Sequence, residues 1–244
     1  MPRGDTAGSQ TTKATLGLRE LVFAGELQPG KRVPEIGLAE RLGVSRTPLR
    51  LALATLAHEG LLSALPGGGF VVCSFSLNDV ADAIELRGVL EGTAARFAAE
   101  RLGSESELAA LAAVTEELDA VVGVPSPLLE RFVELNDEFH RVLVELAKSD
   151  ALTRAIANVV ALPFASPGAL LASQAALTRE HEVFVVAQHQ HRAMLEAVGA
   201  GHGARAEEIA REHARLAMLN LELVLASEPA LERLPGAPLL RRAG

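Results

Sequence analysis

Residues 35–72 read EIGLAERLGVSRTPLRLALATLAHEGLLSALPGGGFVV. Within them GVSRTPLR, Gly43 to Arg50, is a turn that opens into a helix. Gly43 stops a short helix that begins near Glu35. Ser45 suits an N-cap, and Pro48 sits close enough to the helix start to be tolerated. The helix then carries Leu49, Leu53 and Leu56 toward His58, and Gly60 breaks it. Two apolar runs, Leu61 to Leu65 and Phe70 to Val72, flank Pro66-Gly67-Gly68-Gly69, which reads as a small hairpin.

Upstream, helical spacing covers Leu16 to Ala24 and ends at Gly25, before the turn Gln28-Pro29-Gly30. Residues 1–14, rich in Gly, Ser, Thr and Gln, read as a flexible arm. Three helices followed by a hairpin is the order of a winged helix-turn-helix (an α+β unit), predicted over residues 15–75. In that motif the second helix of the pair enters the major groove with its first residues nearest the base edges. Arg46 and Arg50 are four apart and share a face, and each can contact guanine bidentately. Ser45, Thr47 and the backbone amides beside them suit phosphate. Arg32, with Lys31, could add backbone contacts, and the glycine wing at Gly68 has little side-chain bulk to hold DNA away.

Downstream the pattern is almost purely helical. A helix capped by Asn78 or Asp79 runs to about Leu102, and others cover about 105–122, 127–147, 151–161, 173–199 and 204–226, with Pro163 and Pro167 interrupting. Six such helices predict one all-α antiparallel bundle over residues 76–228, followed by a Pro-rich tail over 229–244.

Charge divides the chain in the same place. Residues 1–75 carry 8 Lys/Arg against 6 Asp/Glu, whereas the remainder carries 15 against 25. The front is therefore the only plausible surface for a polyanion, and the acidic back limits non-specific adhesion. With 8 Phe, no Trp and no Tyr, a stacking platform for single strands is a poor fit. Cys73 is the only cysteine, so an internal disulfide or thiolate cluster is excluded. No secretory signal and no run of 18 apolar residues is present, which predicts a cytoplasmic protein with no membrane partner.

Six of the seven histidines lie in or beyond the last helix-rich half. Asn136 and His140 are four apart on one helix, His213 lies on the last long helix, and His189 or His191 on the one before it. Three helices could direct an oxygen and three imidazoles into one cavity. That donor set suits a divalent metal, Zn first, with Ni, Fe or Mn as alternatives. Arg87 could hold the carboxylate of an effector through a charged, bidentate contact, or could pair with Glu91 four residues on.

The stretch Leu18 to Val72, above all GELQPG, LAERLGVSRTPLR and EGLL, closely resembles the winged-helix domain of the GntR family. IELRGVLEGTAARFAAE, NDEFH, and HRAMLEAVGAGH with REH beyond it resemble the FCD ligand domain of the FadR-like branch. The resemblance implies a homodimeric, effector-responsive transcription regulator that reads a palindromic operator in double-stranded DNA, with Arg46, Thr47 and Arg50 as the principal readers. It implies a metal set of Asn136, His140, His191 and His213, because His191 and His213 stand at the family's separation of twenty-two residues. It places Arg87 at the ligand cavity, for which a small carboxylate effector that relieves repression is expected. Four positions depart from the family pattern: Leu51 stands where Glu usually follows the second arginine, Asn136 where Asp is usual, His202 after Gly201 where the turn is usually Gly-Asp, and Asp150 where Asn is common.

An enzyme is the rival class, as a hydrolase using metal-bound water. Glu138 and Glu196 are its nearest candidate bases, but neither is tied to the histidines by a catalytic spacing, and HExxH, G-x-S-x-G and phosphate-loop motifs are absent. The expectation is a regulator and not an enzyme. A regulator whose metal is purely structural is the other alternative.

Overall fold

Helix α1, Ala7–Phe23, packs along α3, Arg46–His58, through Ala14, Leu18 and Val22 against Leu49, Ala52, Leu53 and Leu56, all buried. The computed structural model describes residues 7–123, 129–171 and 180–241. The arm expected over residues 1–14 is thus helical from Ala7 onward. The polar composition misled because Ala14 is buried in the first core while Thr12 and Thr15 bond back to carbonyls within the helix. Helix α2, Glu35–Leu42, ends on Gly43, whose φ of 62° lets its N–H reach the carbonyls of Ala39 and Glu40. That tight stop turns the chain into α3 over three residues.

Strands β1, Leu62–Ala64, and β2, Phe70–Val72, pair antiparallel with Leu62 opposite Val72 and Ala64 opposite Phe70. A third segment joins them: Gly30 N–H donates to Val72, Val72 N–H to Lys31, and Val33 N–H to Phe70. Arg32 Nη2 donates to the Gly68 carbonyl at 2.6 Å, bracing the hairpin tip. The winged helix-turn-helix is present as predicted.

The chain divides into two compact units, one formed by residues 1–79, 161–163 and 235–244, the other by 80–160 and 164–234. The Pro-rich tail is therefore corrected. It begins with a short helix, α10 (Glu228–Glu232), and its last described residues belong to the first unit. Leu239 is fully buried in the core built by α1 and α3, Phe75 N–H donates to Leu239, and Arg241 N–H donates back to Phe75. Gly25 (φ 74°) lies so close that an added Cβ would meet Pro238 at 2.8 Å. Proline content signals an end of helix; it says nothing about whether the following apolar residues find a core.

The second unit is all helical: α4 (Leu77–Arg101, from Val80 onward), α5 (Glu105–Val122), α6 (Leu129–Leu146), α7 (Asp150–Val160), α8 (Glu180–Gly199) and α9 (Gly203–Leu225). Residues 173–179, expected as the start of α8, lie outside the described residues. Leu111, Leu118, Phe132, Phe139, Leu143, Phe184 and Met194 fill the centre, with Phe132 and Phe184 stacked at 4.4 Å. Two glycines bring α9 against α4. A Cβ on Gly88 would meet that of Ala214 at 2.8 Å, and one on Gly92 would meet the Glu207 carbonyl at 3.0 Å. Close approach at these two points carries α9, and His213 with it, toward Arg87 and Glu91. No described helix is long and apolar enough to cross a membrane.

Candidate metal centre and nucleic-acid interface

Helix α3 has two faces. Pro48, Leu49, Ala52, Leu53 and Leu56 are buried, whereas Arg46, Thr47 and Arg50 are exposed over its first two turns. Ser45 occupies the N-cap in an extended conformation, but its hydroxyl makes no capping bond. It stays exposed beside Arg46, with its backbone carbonyl accepting from Leu49. Arg50 Nε lies 3.4 Å from Glu35 on α2, and Arg50 remains 76% exposed. Leu51 is itself exposed, so a glutamate from the neighbouring helix provides the acidic neighbour that position 51 lacks. Arg32 and Gly68 meet at the wing tip, as described above.

In the bundle, His140 on α6, His191 on α8 and His213 on α9 bring ligand atoms within 4.8 Å of one another, all three buried. The Nε2 atoms of His140 and His213 are 3.2 Å apart. His191 Nε2 is buried with no hydrogen-bond partner. Each Nδ1 faces an acceptor instead. Gln188 Oε1 lies 3.2 Å from His191, Gln190 Oε1 lies 3.0 Å from His213, and Glu91 Oε2 lies 3.3 Å from His140, at ion-pair distance though without ideal hydrogen-bond alignment. An acceptor beside Nδ1 favours the proton there and leaves Nε2 to ligate, the arrangement that metal-binding histidines use, and the three rings offer ligand atoms within 4.8 Å of one another. Gln188 is held in turn through its amide by the Thr115 carbonyl and the Asp119 carboxylate. The other candidate, His189, is exposed and bonds the Val185 carbonyl.

Electrostatics favour the neutral form of His191 and His213. Burial pushes His191 well below the ordinary imidazole value, and the neighbouring His213 and His140 add to it. Burial and then His140 do the same to His213. Neutral imidazoles suit metal ligation and need no counter-ion. Glu91 is fully buried, which alone would raise its pKa; His140 and Arg87 outweigh that and hold it at about 2. These residues fit a divalent cation: an orphaned ring nitrogen on His191, two more buried imidazoles within ligating reach of it, and a buried carboxylate beside His140.

Asn136 is buried and borders a small cavity of about 20 Å³ with Arg87, His140, His213 and Asn220. It adjoins Asp137, whose carboxyl burial pushes above the ordinary aspartate value against the pull of His140. Arg87 is 2% exposed, donates from Nη1 to the Ala165 carbonyl at 2.9 Å, and lies 3.7 Å from Glu91. The carbonyl it meets follows Phe164, which holds an unusual φ of 66°. Arg87 Nε and Asn220 Oδ1 are both buried without a hydrogen-bond partner. A larger cavity of about 360 Å³ also borders His140, between α6 and α7.

Sequence reasoning missed Glu91 as the partner of His140, Gln188 and Gln190 as the groups that orient His191 and His213, and Asn220. Only Gln188, three residues before His191, had a visible spacing signal. The others are contacts between helices far apart in the chain.

Comparison with known proteins agrees with both halves. Residues 11–72 match the family model described as bacterial regulatory proteins, gntR family, and residues 82–216 match that of the FCD domain. An uncharacterized HTH-type transcriptional regulator from an unstable DNA locus of Streptomyces ambofaciens is 34% identical over 88% of this chain and 86% of its own length. Bacillus subtilis YdhC, an uncharacterized HTH-type transcriptional regulator, is 32% identical over 58% of this chain, and the match spans only 62% of YdhC. The solved structure of E. coli McbR/YncC shares the fold, with a TM-score of 0.64 over 88% of this chain and 97% of that one at 23% identity. This chain belongs to the GntR family of bacterial regulatory proteins, among the members that carry an FCD domain.

Proposed function

We propose that the chain is a homodimeric repressor that reads a palindromic operator in double-stranded DNA and is released by a small carboxylate effector bound beside a divalent metal. The observation that carries the reading half is the exposure of Arg46, Thr47 and Arg50 on the opening turns of a helix whose opposite face is locked in a core. Arg46 and Arg50 contact base edges; Ser45, Thr47, Arg32 and the Gly68 wing contact the backbone. Two copies related by a twofold axis place two such helices on half-sites about one helical turn apart.

His140, His191 and His213 hold the metal through Nε2, with Asn136 as the fourth, neutral donor, and zinc fits the nitrogen-rich set best. The metal, when bound, supplies positive charge that attracts an anionic ligand. Arg87, whose Nε is ion-paired with Glu91 but has no hydrogen-bond partner, orients that ligand's carboxylate. The effector shifts the protein between states only as far as it binds one of them better.

Arg46→Ala and Arg50→Ala, measured on an operator selected by the wild-type chain from genomic DNA, are expected to lose about 1–3 kcal/mol each of specific binding and to relax sequence preference. Unchanged affinity and preference in a folded dimer would remove α3 from the interface.

A further inference from the structure

The exposed face of α3 carries one large residue with no polar group to offer DNA. Arg46, Thr47, Arg50, Leu51, Ala54 and Thr55 are exposed, whereas Pro48, Leu49, Ala52, Leu53 and Leu56 are buried. At about 100° per residue, Arg46, Arg50, Ala54, Thr47 and Leu51 follow one another around an arc of roughly 140°. The two arginines hold one edge of that arc and Leu51 holds the other. Leu51 is 55% exposed and takes no part in the core of its unit. Its backbone carbonyl accepts a hydrogen bond from the Thr55 hydroxyl.

Single leucines on a surface are ordinary. What sets this one apart is its company, because a helix lying in the major groove loses water from the whole face turned to the bases. Arginine finds guanine there, and a hydroxyl finds phosphate. A leucine side chain neither donates nor accepts. The major-groove edge offers it one apolar group, the C5-methyl of thymine. Cytosine turns an N4 amino group toward the same space, and burying that donor against leucine leaves it unsatisfied. The purine edges present N7 and O6 or N6, which leucine strands in the same way. Ile36 is more exposed, at 88%, but it lies on α2, and in this motif the first helix of the pair crosses the backbone. Along the axis Leu51 stands one residue, about 1.5 Å, beyond Arg50. That is less than the step of about 3.4 Å between base pairs, so both side chains work at nearly the same level of the groove.

We propose that Leu51 is a specificity-determining residue that reads a thymine methyl in each operator half-site, in the base pair beside the guanine contacted by Arg50. This rests on α3 being the reading helix and adds the base that its apolar edge selects. The contact makes no hydrogen bond. It discriminates by burying a methyl group and by the cost of stranding the polar edge of any other base.

The test uses the full chain and an operator selected by the wild-type chain. Arg50→Ala locates the guanine, as the position whose preference it relaxes. Each thymine of one half-site is then replaced singly by deoxyuridine, which removes the methyl and keeps every hydrogen-bonding group. At the thymine beside that guanine, wild type should weaken about fourfold, the worth of one buried methyl. Leu51→Ala should bind the two operators equally, and Leu51→Met should keep the sensitivity. Leu51→Ala removes only exposed atoms and installs the best helix former, so the fold is retained. Equal sensitivity of wild type and Leu51→Ala at every thymine would overturn the proposal and leave the arginine reading intact. A selected operator with no thymine beside the guanine would do the same. Undiminished binding and preference in Arg50→Ala would overturn both.

Discussion

The two units each contain an arginine close to a glutamate, and the pairs are opposites. In the first unit Arg50 and Glu35 sit 3.4 Å apart with Arg50 76% exposed. In the second, Arg87 and Glu91 sit 3.7 Å apart with both side chains 2% exposed. Water screens the first pair, so each partner is nearly free, and the arginine can leave the glutamate for a phosphate or a guanine at little cost. The second pair has no water to retreat to. Its charges are fixed in place by one another, by His140 and by the Ala165 carbonyl. Burial thus turns the same two residue types from a contact surface into a scaffold.

The largest effect is expected from breaking the buried pair. Glu91→Ala leaves Arg87 as an uncompensated buried charge and should cost about 3–5 kcal/mol in denaturant unfolding. It should also weaken zinc binding about 10–100-fold in a chelator competition, since His140 loses the group facing its Nδ1. Retained zinc affinity would mean that Glu91 serves packing alone. A smaller loss is expected in the other unit, where Leu239 is fully buried. Leu239→Ala should cost about 2–5 kcal/mol and lower the melting temperature of the DNA-binding unit before that of the bundle. The smallest effect belongs to the exposed pair. Glu35→Ala should shift stability by no more than about 1 kcal/mol, and operator affinity by less than about fivefold. A large loss of operator affinity would show that Glu35 holds Arg50 in its reading posture.

Much of the architecture was legible because short-range chemistry decides it. Gly43, Gly60 and the glycine run at 67–69 punctuate the first unit where the sequence says they should, and Leu49, Leu53 and Leu56 define the buried side of α3. The histidines were legible as spacing, since a helix carries residues four apart on one face and the resemblance chose His191 over His189. What escaped reading depends on long-range contact. Leu51 announced a missing acidic neighbour, but that Glu35 would take its place depends on how α2 meets α3. Arg87 left two options open, an effector contact or a pair with Glu91; the fold brings Glu91 to 3.7 Å from Arg87 Nε, at ion-pair distance but without a hydrogen bond. The tail escaped for a similar reason, because Leu239 finds its core more than 160 residues back along the chain.

That last contact has a consequence for the order in which the protein is made. The first unit holds nearly all of its sequence within residues 1–79, so its helices can form early in synthesis. Its core, however, is closed by Leu239, and its backbone ladder at Phe75 by Leu239 and Arg241. Both arrive only after the entire bundle has been translated. A chain that stops short of Leu239 carries α3 on an unfinished core, so the winged helix-turn-helix is completed only after the bundle has been made.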